Sequence, residues 1–98
     1  MLTEIPTPTV GEILKDEFLD PLGLDAIKLA RALNVPAARI VAILRGQRRL
    51  TVETGLKLSR YFNMSDRFFI DLQTEIDVRH EKPALVEELA GIAPLALA

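Results

Sequence analysis

Between Leu24 and Thr51 the chain reads LDAIKLARALNVPAARIVAILRGQRRLT, and this stretch constrains the fold more than any other. Leu29, Ala30 and Leu33 fall on one side of a short amphipathic helix that Asp25 can cap. Asn34 tolerates a left-handed backbone and sits where that helix must turn. Pro36 suits the first position of a next helix, which buries Ile40, Ile43 and Leu44 and ends at Gly46. Two short helices joined by a tight turn and followed by a basic loop are the sequence form of a helix-turn-helix. The second helix of such a unit can lie in the major groove of DNA.

The charge distribution agrees. Lys28, Arg31, Arg39, Arg45, Arg48 and Arg49 are the six cations between Ala26 and Val52, and no acid accompanies them. Residues 1–25 carry a net −5 and residues 53–98 a net −3, so the overall charge of −2 hides a basic segment between acidic flanks. That asymmetry points to a polyanionic partner.

The rest of the chain supplies helices to brace this unit. Pro6 and Pro8 keep residues 1–8 as an extended arm. Thr9 starts a first helix, with Glu12 three residues on to complete a capping box. Val10, Ile13, Leu14 and Phe18 form its apolar face, and Pro21 stops it near Leu19. Thr51 caps a fourth helix with Val52, Leu56, Leu58 and Phe62 on its apolar side. Ser65 caps a fifth that carries Phe68, Phe69, Leu72 and Ile76. After Pro83 the pattern predicts a separate short helix over Ala84–Leu89, then an uncharged end. No period-two alternation, repeat or low-complexity tract is present. The expectation is all-α: a five-helix bundle over residues 9–80, with 81–98 a helical or frayed tail and a candidate dimer or partner contact.

At 98 residues the chain is one domain, near the lower limit for burying its own core. Apolar residues make up 49 % of it, which points to some surface covered by a partner or a second copy. With no cysteine, disulfides and thiolate metal sites are excluded. The N-terminus lacks the basic and apolar regions of a secretory signal. No apolar run approaches the roughly 18 residues of a membrane span. A soluble cytoplasmic protein without a cofactor or membrane association is expected.

The candidate DNA-binding residues are Lys28, Ala37, Ala38, Arg39, Ala42, Arg45, Gln47, Arg48 and Arg49. Arg39, one turn into the third helix, is expected on the exposed face opposite Ile40 and Ile43 that Ala37, Ala38 and Ala42 share, and can present a bidentate fork to guanine O6 and N7. Ala37, Ala38 and Ala42 permit close approach to the groove, and a methyl can pack on a thymine methyl; helix propensity explains the same alanines. Arg45, Gln47, Arg48 and Arg49 suit phosphate contacts, which set affinity and register. Lys28 and Arg31 are weaker candidates. Phe62, Phe68 and Phe69 read as core packing rather than a stacking platform, with one of the last two available to a dimer contact. His80, between Arg79 and Glu81, reads as a lone surface histidine. A Ser-His-acid set would need His80 with Ser59 or Ser65, and no motif surrounds either. P-loop, dinucleotide and zinc patterns are absent, so no enzymatic activity is expected.

GEILKDEFLDPLGL (11–24), KLARALNVP (28–36), ILRGQRRLTVETGLKLSRYF (43–62) and SDRFFIDLQTEID (65–77) together resemble the HigA (VapI) type of antitoxin, within the lambda-repressor-like helix-turn-helix class. The resemblance covers Val10 to about Val78. It implies a lambda-repressor-like bundle, a homodimer that represses its own operon by binding double-stranded operator DNA, and a RelE/HigB-like endoribonuclease toxin as protein partner. Relatives often carry glutamine where Ala26 stands, serine at Pro36, and polar residues at Ala37 and Ala38, so this chain starts its recognition helix with a short apolar surface. Two other functions stay open on the residues: a stand-alone repressor, and a protein-binding module that has lost DNA binding. The acids of the first helix (Glu12, Asp16, Glu17, Asp20) and tail (Glu81, Glu87, Glu88) offer a surface for a basic toxin.

Overall fold

The computed structural model describes residues 7–96. Within them all regular structure is helical and forms five rods. The first, α1 (residues 10–22), joins α-helical Val10–Ile13, a π-helical stretch Leu14–Leu19 and α-helical Asp20–Leu22. It is followed by α2 (Ala26–Leu33), α3 (Ala37–Leu44), α4 (Val52–Tyr61) and α5 (Phe68–Ala90). Of the expected extended arm, residues 1–6 lie outside the described residues, and Thr7–Thr9 are non-helical.

Capping sets the helix starts where the sequence places them. The hydroxyl oxygen of Thr9 accepts from the Glu12 N–H at 3.1 Å, the Asp25 carboxylate from the Lys28 N–H at 2.8 Å, and Thr51 from the Thr54 N–H at 3.2 Å. The first four rods end by one device, a left-handed residue followed by a backbone bond reaching five residues back. Gly23, Asn34, Gly46 and Asn63 have φ of 65°, 56°, 72° and 57°. The N–H groups of Leu24, Val35, Gln47 and Met64 then donate to the carbonyls of Leu19, Ala30, Ala42 and Ser59 at 2.8–3.0 Å.

Several expectations need correction. The first helix runs through Pro21 to Leu22, because the π-helical turn ahead of it shifts the hydrogen bonds by one residue. Asp20 N–H bonds the Lys15 carbonyl, which gives the proline ring room beside the preceding turn. Pro36 is the N-cap of α3 rather than its first helical residue. Ser65 does not cap α5: its carbonyl closes a turn onto Phe68 N–H, and the helix begins at Phe68 without a side-chain cap. Pro83 does not separate two helices, since α5 continues to Ala90. Every residue from Val78 to Ala90 is exposed, so water can take the Arg79 carbonyl that the proline leaves unbonded.

The core comprises Val10, Leu14 and Leu19 from α1, Leu29, Ala30 and Leu33 from α2, Ile40 and Ile43 from α3, Leu50, Leu58, Phe69 and Ile76. On α4 the buried face is Thr54, Gly55, Leu58 and Ser59, while Val52 and Leu56 face solvent. Phe69, not Phe68, is wholly enclosed; its ring lies 5.0–6.1 Å from those of Phe18, Phe62 and Phe68. Two glycines let rods touch. A Cβ on Gly11 would lie 2.0 Å from the Ile43 carbonyl oxygen, and one on Gly55 2.8 Å from Ile70 Cγ1. The first of these seats the start of α1 on the end of α3, directly behind the basic loop.

Candidate nucleic-acid interface

Two rods fix the orientation of α3. Ile40 and Ile43 anchor it in the core against α2 and α1, and the three-residue turn Asn34–Val35–Pro36 sets α2 behind it. This leaves Ala37 and Ala38 exposed, Val41 and Ala42 half-buried, and Arg45 exposed at the C-cap. A residue's angular step of about 100° puts Ala38, Ala42 and Arg45 opposite Ile40. The outward face of α3 is therefore narrow and free of bulky side chains until Arg45.

Arg39 is not on that face. It stands on the flank of α3, with a side chain only 27 % exposed, and its Nη1 donates to Glu53 Oε2 at 3.3 Å. Its Nε is buried without a partner. Glu53 belongs to the first turn of α4 and also lies 3.9 Å from Lys57 Nζ.

Gly46 turns the chain into the loop that carries Gln47, Arg48 and Arg49, all exposed. The loop is tied to α5. Gln73, nearly buried, accepts the Leu50 N–H on its Oε1 at 2.8 Å and donates from Nε2 to Asp77 Oδ1 at 2.9 Å. The other Asp77 oxygen accepts from Arg49 Nη2. Burial pushes the Asp77 carboxyl up, but the hydrogen bonds from Arg49 and Gln73 and the Arg49 charge outweigh it and hold it below the usual range. The folded chain thus keeps this loop on a fixed support.

The nine candidate residues separate into groups. Ala37, Ala38, Ala42 and Arg45 share the free side of α3, and Gln47 and Arg48 extend it through the loop. Arg39 and Arg49 are each engaged by a carboxylate of another helix. Lys28 is exposed on α2, one turn after Asp25. Among the described residues Lys28, Arg45 and Arg48 pair with no carboxylate, so the unneutralised charge of this set is theirs, and Arg45 and Arg48 carry it on α3 and its loop. The residue-by-residue reading missed Glu53, Gln73 and Asp77. One signal for Gln73 was available: it occupies a core position between Phe69 and Ile76, at helical spacing four and three, where a polar side chain needs a buried partner.

No group of three or more metal-ligating side chains forms among the described residues, and no helix there is long and apolar enough to cross a membrane.

Comparison with known proteins places this arrangement in a family. The family model described as "Helix-turn-helix" matches residues 14–69. The chain is 43 % identical over 76 residues to virulence-associated protein I of Dichelobacter nodosus, covering 78 % of this chain and 70 % of that protein. It is 30 % identical over 87 residues to antitoxin HigA-1 of Vibrio cholerae, covering 89 % and 82 % of the two. The solved structure of Pseudomonas aeruginosa antitoxin HigA with the higBA promoter superposes at a TM-score of 0.83 and 35 % identity, over 93 % of this chain and all of that one. Its five-helix bundle, its helix-turn-helix and these likenesses agree, and the chain belongs to the helix-turn-helix family that holds the HigA antitoxins and virulence-associated protein I.

Proposed function

We propose that this chain is a cytoplasmic antitoxin that binds operator DNA as a homodimer, represses its own operon, and neutralises a RelE/HigB-like endoribonuclease. The observation that carries the DNA half is the small-residue face of α3 running into unneutralised Arg45 and the anchored Gln47–Arg48 loop. In this reading α3 enters the major groove; Ala37, Ala38 and Ala42 allow the close approach. Arg39 reads a base edge from the flank, while Arg45, Gln47, Arg48, Arg49 and Lys28 hold phosphates. The promoter complex of the P. aeruginosa relative supports it. Residues 9–80 form the DNA-binding domain, between the arm of residues 1–8 and the tail of 81–98.

The projecting half of α5 supports a dimer. Val78, Leu85, Val86 and Leu89 are exposed along it, with Ile92 and Leu95 beyond. Such a run of apolar side chains left in water favours association with a second copy. For the toxin, charge is the guide: Glu12, Asp16 and Glu17 are exposed on α1, and Glu81, Glu87 and Glu88 on the tail. A ribonuclease binds polyanionic RNA and carries the opposite sign. Asp20 is less available, being paired with Lys15 at 2.9 Å.

The test is affinity purification of the tagged chain from its native host, with recovery of bound protein and DNA after a moderate-salt wash. A small basic protein together with a fragment of the chain's own promoter is the expected result. DNA alone would reduce the function to that of a stand-alone repressor, and protein without DNA would leave only a binding module.

A further inference from the structure

Arg39 is held in an arrangement that stability does not explain. Its Nε is buried with no acceptor, which is a net cost. The ion pair that orients it is to a carboxylate whose side chain is 64 % exposed, and such pairs return little. Glu53 is, moreover, the acid that directly follows the basic segment, where a negative charge opposes approach to phosphates. Lys57, 3.9 Å from Glu53, offsets that charge without touching Arg39.

We infer that Glu53 is a positioning residue for Arg39: by holding one Nη1 hydrogen from α4, it sets the guanidinium at the flank of α3 so that the Nη1–Nη2 end, through the second Nη1 hydrogen and one of Nη2, meets a guanine in the groove. This rests on the reading of Arg39 as a base contact. The chemistry is that of a fork whose direction is fixed before binding. An arginine has several rotatable bonds, and bidentate contact with O6 and N7 requires one plane and one edge. Burial of Nε fixes the stem and the Glu53 bond fixes the rotation of the head. A partner from a different helix makes the orientation depend on the packing of α4 rather than on α3 alone. Glu53 thereby trades some affinity for any duplex against discrimination at one base pair.

The experiment selects binding sites from a double-stranded DNA library with a randomised centre, using wild type, Arg39→Ala, Glu53→Gln and the double variant. Fluorescence anisotropy then compares the selected duplex, its single base-pair changes and a random duplex, with a thermal melt of each variant. Glu53→Gln is expected to lower discrimination at the G·C pair that Arg39→Ala relaxes, by about threefold to tenfold of the full bidentate contribution. Random-duplex affinity is expected to stay level or rise, and the double variant to lose no more than Arg39→Ala. Wild-type discrimination in Glu53→Gln, relaxation at a different pair, or an equal fall on all duplexes would overturn the inference while leaving Arg39 as a reader. An unchanged profile in Arg39→Ala would instead remove the base-reading role, and the inference with it.

Discussion

Replacing Gly11 with alanine sets helix propensity against packing, and the structure says which wins. On propensity, Ala in place of Gly stabilises a helix by about 1 kcal/mol, and by less in a first turn such as this one. Against it, the new Cβ would lie 2.0 Å from the Ile43 carbonyl oxygen, 2.8 Å from Leu44 Cα and 2.9 Å from Ile43 C. Ordinary carbon–oxygen contact is about 3.3 Å, so the two helices must separate by roughly 1 Å. All three atoms are backbone, so no side-chain rotation relieves the overlap. Overpacking of this kind costs about 1–3 kcal/mol, and this site belongs at the upper end because separation also loosens Val10 and Leu14 from the core. The net expectation is a loss of about 2 kcal/mol, or about 8–16 °C in Tm for a domain of this size. Gly55→Ala is the milder comparison: its Cβ would meet Ile70 Cγ1 at 2.8 Å, a side-chain rather than a backbone atom, so it should cost less than Gly11→Ala. The assay is thermal denaturation of the full chain at one fixed protein concentration, since association between copies would make Tm concentration-dependent. A Gly11→Ala protein as stable as wild type, or less affected than Gly55→Ala, refutes the argument.

Two other outcomes test the basic loop. Arg48→Ala should lower the magnitude of the log-affinity against log-salt slope for duplex DNA by about 0.9. Arg49→Ala should lower it by less, because Asp77 already neutralises Arg49 in the free protein; equal slopes for the two variants would show that the ion pair opens on DNA. For Asp77 the folded carboxyl sits below its ordinary value, so its contribution to stability is present above about pH 4 and is lost as pH falls through the folded pKa. Asp77→Asn should therefore be less stable than wild type near neutrality, with the gap in Tm closing toward pH 3; a constant gap across that range would contradict the assignment.

Local signals were legible wherever a single residue determines a single backbone feature. Thr9, Asp25 and Thr51 cap because their oxygens lie within reach of an N–H three residues on. Asn34 and Gly46 turn because few residues adopt positive φ cheaply. Asn63 does the same, although the sequence reading assigns it no turn. What failed was everything set by a neighbour distant in sequence. The buried face of α4 holds Thr54, Gly55 and Ser59, with Gly55 closest to Ile70, whereas hydrophobicity alone favours Val52 and Leu56. Pro21 and Pro83 read as stops, yet a π-turn absorbs the first and solvent surrounds the second. The candidate site shows the same division. Its basic composition and outward alanines were visible, but the acids that engage Arg39 and Arg49 lie 14 and 28 residues away.

Those two pairings change what the basic segment means. Counted along the sequence it is +6 without an acid. In the fold, Arg39 and Arg49 are each matched by a carboxylate from the helices that support the unit, at opposite ends of α3 and its loop. Charge available for long-range attraction is thus concentrated in Lys28, Arg31, Arg45 and Arg48, while the paired arginines are the ones whose directions are fixed. In a groove-binding unit those are separable tasks: unpaired cations set affinity through counterion release, and oriented ones set where the protein sits. On that division, mutating an unpaired arginine changes how tightly all duplexes are held, mutating Asp77 frees Arg49 and likewise acts on every duplex, and mutating Glu53 changes which duplex is preferred.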